Sequence, residues 1–172
     1  MEGYRELLDA ARRESGLENF GEDSFLEGLE VLTGALAREA QLNAAGEHAL
    51  RDLILRYLRQ RLEVEEWYRL HPETEDRPLA RPLFGVSLPR TGSTIFHRLL
   101  ASAPGMTAIR WFEAQNYAPF PGEERGNPAE RRAYAQAMID GWLQLSPELA
   151  SIHPLDPESP DEEIIILGQM FV

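Results

Sequence analysis

Five consecutive residues, Arg90-Thr-Gly-Ser-Thr94, stand between a short apolar run at 82–87 and an amphipathic pattern at 92–102. A strand, a tight loop and a helix in that order bring loop amides, two hydroxyls and one guanidinium to a single point. The first amides of a helix have no intrahelical acceptor and sit at the positive end of its dipole, so this corner reads as an anion site. A phosphate-like group bound there is held by the backbone at Thr91, Gly92, Ser93 and Thr94, with Arg90 as the charged member.

A nucleoside-triphosphate loop carries Gly, four residues, Gly, Lys and then Ser or Thr. Aligned on Gly92, this chain has Ser87 in place of the first Gly and Ser93 in place of the Lys, with Thr94 at the hydroxyl position. All 17 basic residues are Arg, so no lysine loop is available. No apolar strand ends in an Asp that could hold magnesium, which argues against ATP or GTP hydrolysis. The run Leu88-Pro-Arg-Thr-Gly-Ser-Thr94, with Ile95-Phe-His-Arg-Leu-Leu-Ala-Ser102 behind it, instead resembles the 5′-phosphosulfate loop of the sulfotransferase family. Two later blocks, Trp111-Phe-Glu-Ala-Gln-Asn-Tyr-Ala-Pro119 and His153-Pro-Leu-Asp-Pro-Glu-Ser-Pro-Asp-Glu-Glu163, are similar to a bacterial branch of that family. The resemblance spans about residues 80–172.

The resemblance implies transfer of a sulfuryl group from 3′-phosphoadenosine 5′-phosphosulfate (PAPS) to a small-molecule hydroxyl or amine. Arg90 matches the family's basic loop residue. Charge grows on the bridging oxygen of the leaving phosphate, and a fixed cation there favours the transition state over the ground state. A sulfuryl group carries less charge than a γ-phosphate, so no metal is expected. The residues that hold the 3′-phosphate in the family have no counterpart before Val172. The expectation is therefore the N-terminal portion of such an enzyme, binding nucleotide weakly and turning over poorly by itself.

The acceptor's proton needs a base within hydrogen-bond reach. Glu113 follows the expected second strand and falls close to the catalytic Glu of tyrosylprotein-type sulfotransferases, with about two extra residues in this chain. His153 lies at a distance from the loop that resembles the catalytic His of cytosolic sulfotransferases, although its neighbours do not match. Glu113 could equally cap a helix and His153 could be a turn residue fixed by Pro154. His97 reads as packing, and four His without ligand spacing do not make a metal site. Trp111, Phe112, Tyr117 and Phe120 read first as core, with an acceptor wall as the second reading.

The positioning elements follow from periodicity. Residues 1–72 are helical in pattern: a short helix at 4–11, a second after an Asp23 or Ser24 cap, and a long one from about Asn43 to His71-Pro72. The arginines of the long helix read as a solvated, salt-bridged surface. Residues 82–87 and 107–111 read as strands around the loop helix, a parallel pair with right-handed crossover. Asn127-Pro-Ala-Glu130 signals a helix to about Leu145 and Ser159-Pro-Asp-Glu162 a helix at 163–167. The fold class is α/β: a P-loop-like three-layer α/β/α arrangement with a parallel sheet, preceded by a helical N-terminal region. The divisions expected are 1–78 and 79–172.

Composition supplies the exclusions. A net charge of −12 provides no broad basic face, against general nucleic-acid binding. Cys is absent, which removes disulfides and thiolate chemistry. The N-terminus lacks a signal-peptide pattern and no run reaches a membrane span, so a cytoplasmic location is expected. An unpaired sheet edge makes self-association an expected consequence. Two other function classes stay open, a P-loop kinase or nucleotide hydrolase and a non-catalytic helical interaction fragment.

Overall fold

The computed structural model describes residues 2–78, 81–88, 91–124, 126–152 and 154–171. It forms two compact units, Met1–Arg77 with Ile166–Val172, and Pro78–Ile165.

In the first unit, α1 (Tyr4–Ser15), α2 (Leu26–Arg38) and α3 (Ala44–Leu70) bury one apolar core. Its centre is Leu7, Ala11, Phe25, Leu29, Leu58 and Leu62, each at most 1% exposed. Asn43 caps α3 by accepting from the Gly46 amide at 2.8 Å, as its residue type favours. Arg61 departs from the solvated surface expected of it. Its Nε donates to the Phe20 carbonyl at 2.6 Å and its Nη2 to the Glu22 carbonyl at 2.8 Å, while the guanidinium stacks 4.2 Å from the Phe25 ring. The guanidinium thus satisfies loop carbonyls that no helix can reach.

Glu63 is the strained charge of α3. Burial raises its pKa above the ordinary carboxylate value, partly offset by the Arg59 charge. A carboxyl with a raised folded-state pKa stabilises the fold only while protonated, below its unfolded value of about 4.3, and loses that contribution as pH rises through the folded value. Glu63→Gln is therefore expected to melt above the wild type at pH 7, with the difference closing below about pH 4. A lower melting temperature for Glu63→Gln at neutral pH would contradict this.

The segment after Ile166 packs into the same core, where Phe171 lies 6.3 Å from the Phe25 ring and 6.2 Å from the Tyr57 ring. Its carbonyl rests against α2 at Gly28, and an added Cβ there would fall 1.8 Å from that oxygen. Alanine in an open helical site is better than glycine by about 1 kcal/mol. Here the overlap reverses the sign, and Gly28→Ala is expected to cost about 1–3 kcal/mol. Thermal melts check this, and a raised melting temperature would show that the contact is not made.

The second unit is built on α5 (Trp111–Gln115) and α6 (Ala129–Leu145), which bury Trp111, Phe112, Ala135 and Ile139 together. Trp142 meets Trp111 edge-on at 5.6 Å. α6 starts at Ala129 with Pro128 in the cap position and no side-chain cap bond, so the expected Asn127 cap is not made. α4 (Ser93–Ala101) and the single turn α7 (Leu149–Ile152) are the other α-helices among its described residues, and α8 (Ile164–Gln169) belongs from Ile166 onward to the first unit.

The expected parallel strands are not formed among the described residues, whose one bridge is antiparallel, Arg110 with Pro160. The backbone explains it. The Trp111 amide donates to Ser159 O at 2.9 Å, Phe112 to Pro157 O at 3.1 Å and Asp161 to Ile109 O at 2.9 Å. Residues 109–112 thus spend their hydrogen bonds on 157–161 and turn directly into α5. Residues 82–88 have no backbone partner among the described residues, and an apolar run without a ladder is not a strand. The same contact displaces the expected Ser159 cap: Asp156 organises a turn there, and α8 begins at Ile164.

Candidate active site

The loop helix α4 begins one residue beyond Gly92, which has φ 88°, in the left-handed region. Glycine is the residue that takes that torsion without strain. Nothing lies within 4 Å of where its Cβ would be, so the torsion and not crowding requires it. The first bond of the helix runs from the Phe96 amide to Gly92 O at 3.1 Å. Gly92 offers no side chain to cap the amides ahead of Phe96, and the N-terminus stays open to an anion. Upstream, the Thr91 hydroxyl donates to Leu88 O at 2.7 Å. Thr94 is exposed and Ser93 half-exposed, so both hydroxyls are accessible. Arg90 lies outside the described residues, as does His153.

Thr94 lines a small cleft with His97 and Arg98 of α4, facing Asp156, Asp161 and Glu162. The Arg98 Nη2 donates to Pro154 O at 3.4 Å across it. His97 thus borders this cleft instead of being buried. The far wall is the segment that pairs with residues 109–112, so residues 154–162 join the loop helix on one side to α5 on the other.

Glu113 sits third in α5, not behind a strand. Its Oε2 accepts from the Arg110 amide at 2.8 Å, the capping bond favoured at this helix position. The capping role is thus present in the structure. It occupies one lone pair and leaves a half-exposed carboxylate beside the 157–160 segment. Trp111 at 2% and Phe112 at 1% exposure are core residues and not an open wall. Phe120 leans on Tyr134 at 5.9 Å.

Two features escaped the sequence reading. Glu158 joins Arg110, at 3.0 Å, and Arg132, an ion pair at 2.5 Å whose N–H is not aimed at the oxygen. These groups are between 39% and 46% exposed, so the pairs add little to stability and mainly set where the acidic run lies. The second feature is the distribution of charge. Residues 77–112 hold five of the 17 arginines and none of the 29 acids. The anion loop therefore lies in a basic stretch of an acidic chain, a pattern open to inspection in the sequence and hidden by the net value. In space, Asp156, Asp161 and Glu162 face this stretch across the cleft. Among the described residues no group of His, Asp or Glu is arranged to hold a metal ion, and no helix is long and apolar enough to cross a membrane.

The family model described as "Sulfotransferase family" matches residues 82–172, beginning at the apolar run before the loop. Sulfotransferase STF1 from Mycobacterium tuberculosis H37Rv is similar in structure, with a TM-score of 0.71 and 26% identity over 97% of this chain and 46% of that one. Sulfotransferase STF9 from Mycobacterium avium has a TM-score of 0.83 and 24% identity over 99% of this chain and 44% of that one. The chain thus spans less than half the length of these two structures. No curated protein sequence matches it. A family match over 82–172, more than half of 172 residues, shows that the chain belongs to the sulfotransferase family.

Proposed function

We propose that the chain carries the donor-binding part of a sulfotransferase that moves a sulfuryl group from PAPS to the hydroxyl or amine of a small molecule. The observation that carries this reading is the uncapped N-terminus of α4 behind Gly92, set in an acid-free stretch. The amides at Thr91 to Thr94 and the Ser93 and Thr94 hydroxyls hold the donor's 5′-phosphate. Arg90 is assigned to the bridging oxygen as its countercharge. Residues 79–172 belong to an α/β domain of P-loop-like type, behind a helical region at 1–78.

In the reaction the acceptor's oxygen or nitrogen attacks sulfur. The bond from sulfur to the bridging oxygen breaks, and its electron pair stays with the departing adenosine 3′,5′-bisphosphate. Arg90 balances the charge that this oxygen gains. The acceptor's proton passes to Glu113 or to His153. Gln can also make the capping bond of Glu113, so Glu113→Gln separates the two roles. A base at Glu113 shows as slower transfer with an unchanged melting temperature, and equal rates assign the proton to His153.

The reading is tested by thermal shift. Adenosine 3′,5′-bisphosphate in large excess is expected to raise the melting temperature more than ATP with magnesium does, because ligand bound to the native state alone stabilises it. A larger shift with ATP and magnesium would favour a phosphoryl-transfer enzyme instead.

A further inference from the structure

His97 is a titratable group that the proposed reaction leaves unused. It stands three residues after Thr94 on α4, so the two side chains share one side of the helix, and both line the cleft that faces the 154–162 segment. Thr94 also belongs to the anion end of the helix, which sets any molecule in this cleft beside whatever the loop holds. Of the three histidines among the described residues, His48 meets the Asp52 carboxylate at 3.2 Å and His71 meets Glu73 at 3.3 Å. His97 is partly buried and makes no hydrogen bond or ion pair among the described residues, although three carboxylates line the same cleft. Each ring nitrogen can give or take a hydrogen bond, so this imidazole has capacity left for a ligand.

We propose that His97 is a specificity-determining residue: its imidazole contacts the acceptor in this cleft and, with the carboxylates opposite, selects an acceptor that carries a protonated amine over an acidic one. The facing wall limits what the acceptor can be. Asp156 accepts from the Glu158 amide at 2.9 Å and the Ser159 hydroxyl at 3.2 Å, and Asp161 from the Glu162 amide at 2.6 Å, which holds both carboxylates on their side of the cleft. Carboxylates only accept hydrogen bonds and repel anions, so that wall takes N–H or O–H groups. On the near wall the Arg98 guanidinium already donates to Pro154 O at 3.4 Å. That leaves His97 as the α4 side chain able to meet a polar acceptor group in either sense. The inference rests on the reading of the loop as the donor site and adds the acceptor class to it.

The probes are three phenols of one skeleton and different charge: tyramine, 4-ethylphenol and 4-hydroxyphenylacetate. Each is titrated into the whole chain with adenosine 3′,5′-bisphosphate in excess, and the imidazole proton resonances are followed by NMR, with the His97 signal assigned from its loss in His97→Gln. Tyramine is expected to move the His97 signal and to bind most tightly, 4-hydroxyphenylacetate most weakly, and the gap should narrow as salt is raised. His97→Phe keeps a flat ring without hydrogen-bonding groups and is expected to weaken tyramine about three- to tenfold, the worth of one hydrogen bond, with melting temperature and bisphosphate affinity unchanged. His97→Gln, which can still give and take a hydrogen bond, should recover part of that loss. Three results would overturn the proposal: equal tyramine affinity in wild type and His97→Phe, tightest binding of the acid, or no movement of the His97 signal with any probe up to its solubility limit. A bisphosphate thermal shift that persists beside any of these confines the failure to this inference, whereas loss of that shift fails the donor reading beneath it.

Discussion

Arg90→Ala is expected to weaken binding of adenosine 3′,5′-bisphosphate by about 10- to 100-fold, since a hydrogen bond to a charged group contributes about 1.5–3 kcal/mol and each 1.4 kcal/mol is a factor of ten. The bisphosphate keeps the 5′-phosphate that the loop holds, so affinity can be titrated without any turnover. Arg90→Lys should recover part of the loss, because an ammonium restores the charge but not the planar fork. Arg98→Ala is the matched control. It removes one exposed guanidinium from the same acid-free stretch, one turn beyond Thr94, together with its 3.4 Å bond to Pro154 O. Its effect should be smaller than that of Arg90→Ala and should fade as salt is raised, as screening of an exposed charge requires. Equal affinities for wild type and Arg90→Ala would remove the loop's electrostatic centre from the mechanism.

What the sequence made legible were the features encoded locally. The α3 start at Asn43 follows from one residue's capping side chain and the α4 start at Gly92 from one residue's backbone preference, each beside a period of 3.6. The loop's chemistry belongs to the same class, since five adjacent residues carry it. What stayed hidden depends on partners far along the chain. Residues 107–111 have strand composition, yet 157–161 supplies their hydrogen bonds in antiparallel sense and Trp111 opens a helix. Arg61 looks like any surface arginine until the Phe20 and Glu22 carbonyls, 41 and 39 residues away, come within reach. Glu113 shows both sides. Its type and place suit a cap and a base alike, and the structure shows the cap bond while the chemistry waits on measurement.

The largest expected loss of stability comes from a pair that spacing alone does not reveal. Arg131 and Glu123 meet as a fork on a carboxylate, with Nε at 2.9 and 3.1 Å and Nη2 at 2.8 Å, and their side chains are only 11% and 6% exposed. Arg131 also donates from Nη1 to the Asn116 carbonyl at 2.9 Å, and Glu123 accepts from the Phe120 amide at 3.3 Å. The pair therefore ties the 116–123 loop to α6, directly behind the helix that carries Glu113. Removing one member leaves the other buried and charged, which costs about 3–5 kcal/mol. Against a total of about 5–15 kcal/mol for a folded domain, that is enough to populate the open unit. Arg131→Ala and Glu123→Ala should each lower the urea midpoint of the second unit. The double variant Arg131→Met/Glu123→Leu should recover most of the loss, because apolar groups of similar size need no partner. Fluorescence in a Trp67→Phe background isolates the transition, since Trp111 and Trp142 then report the second unit alone. If the pair mattered only as a surface contact, the single variants would move the midpoint by less than about 1 kcal/mol. A loss of the larger size, rescued by the apolar pair, would establish a buried clamp whose work is to hold the loop behind Glu113 in place.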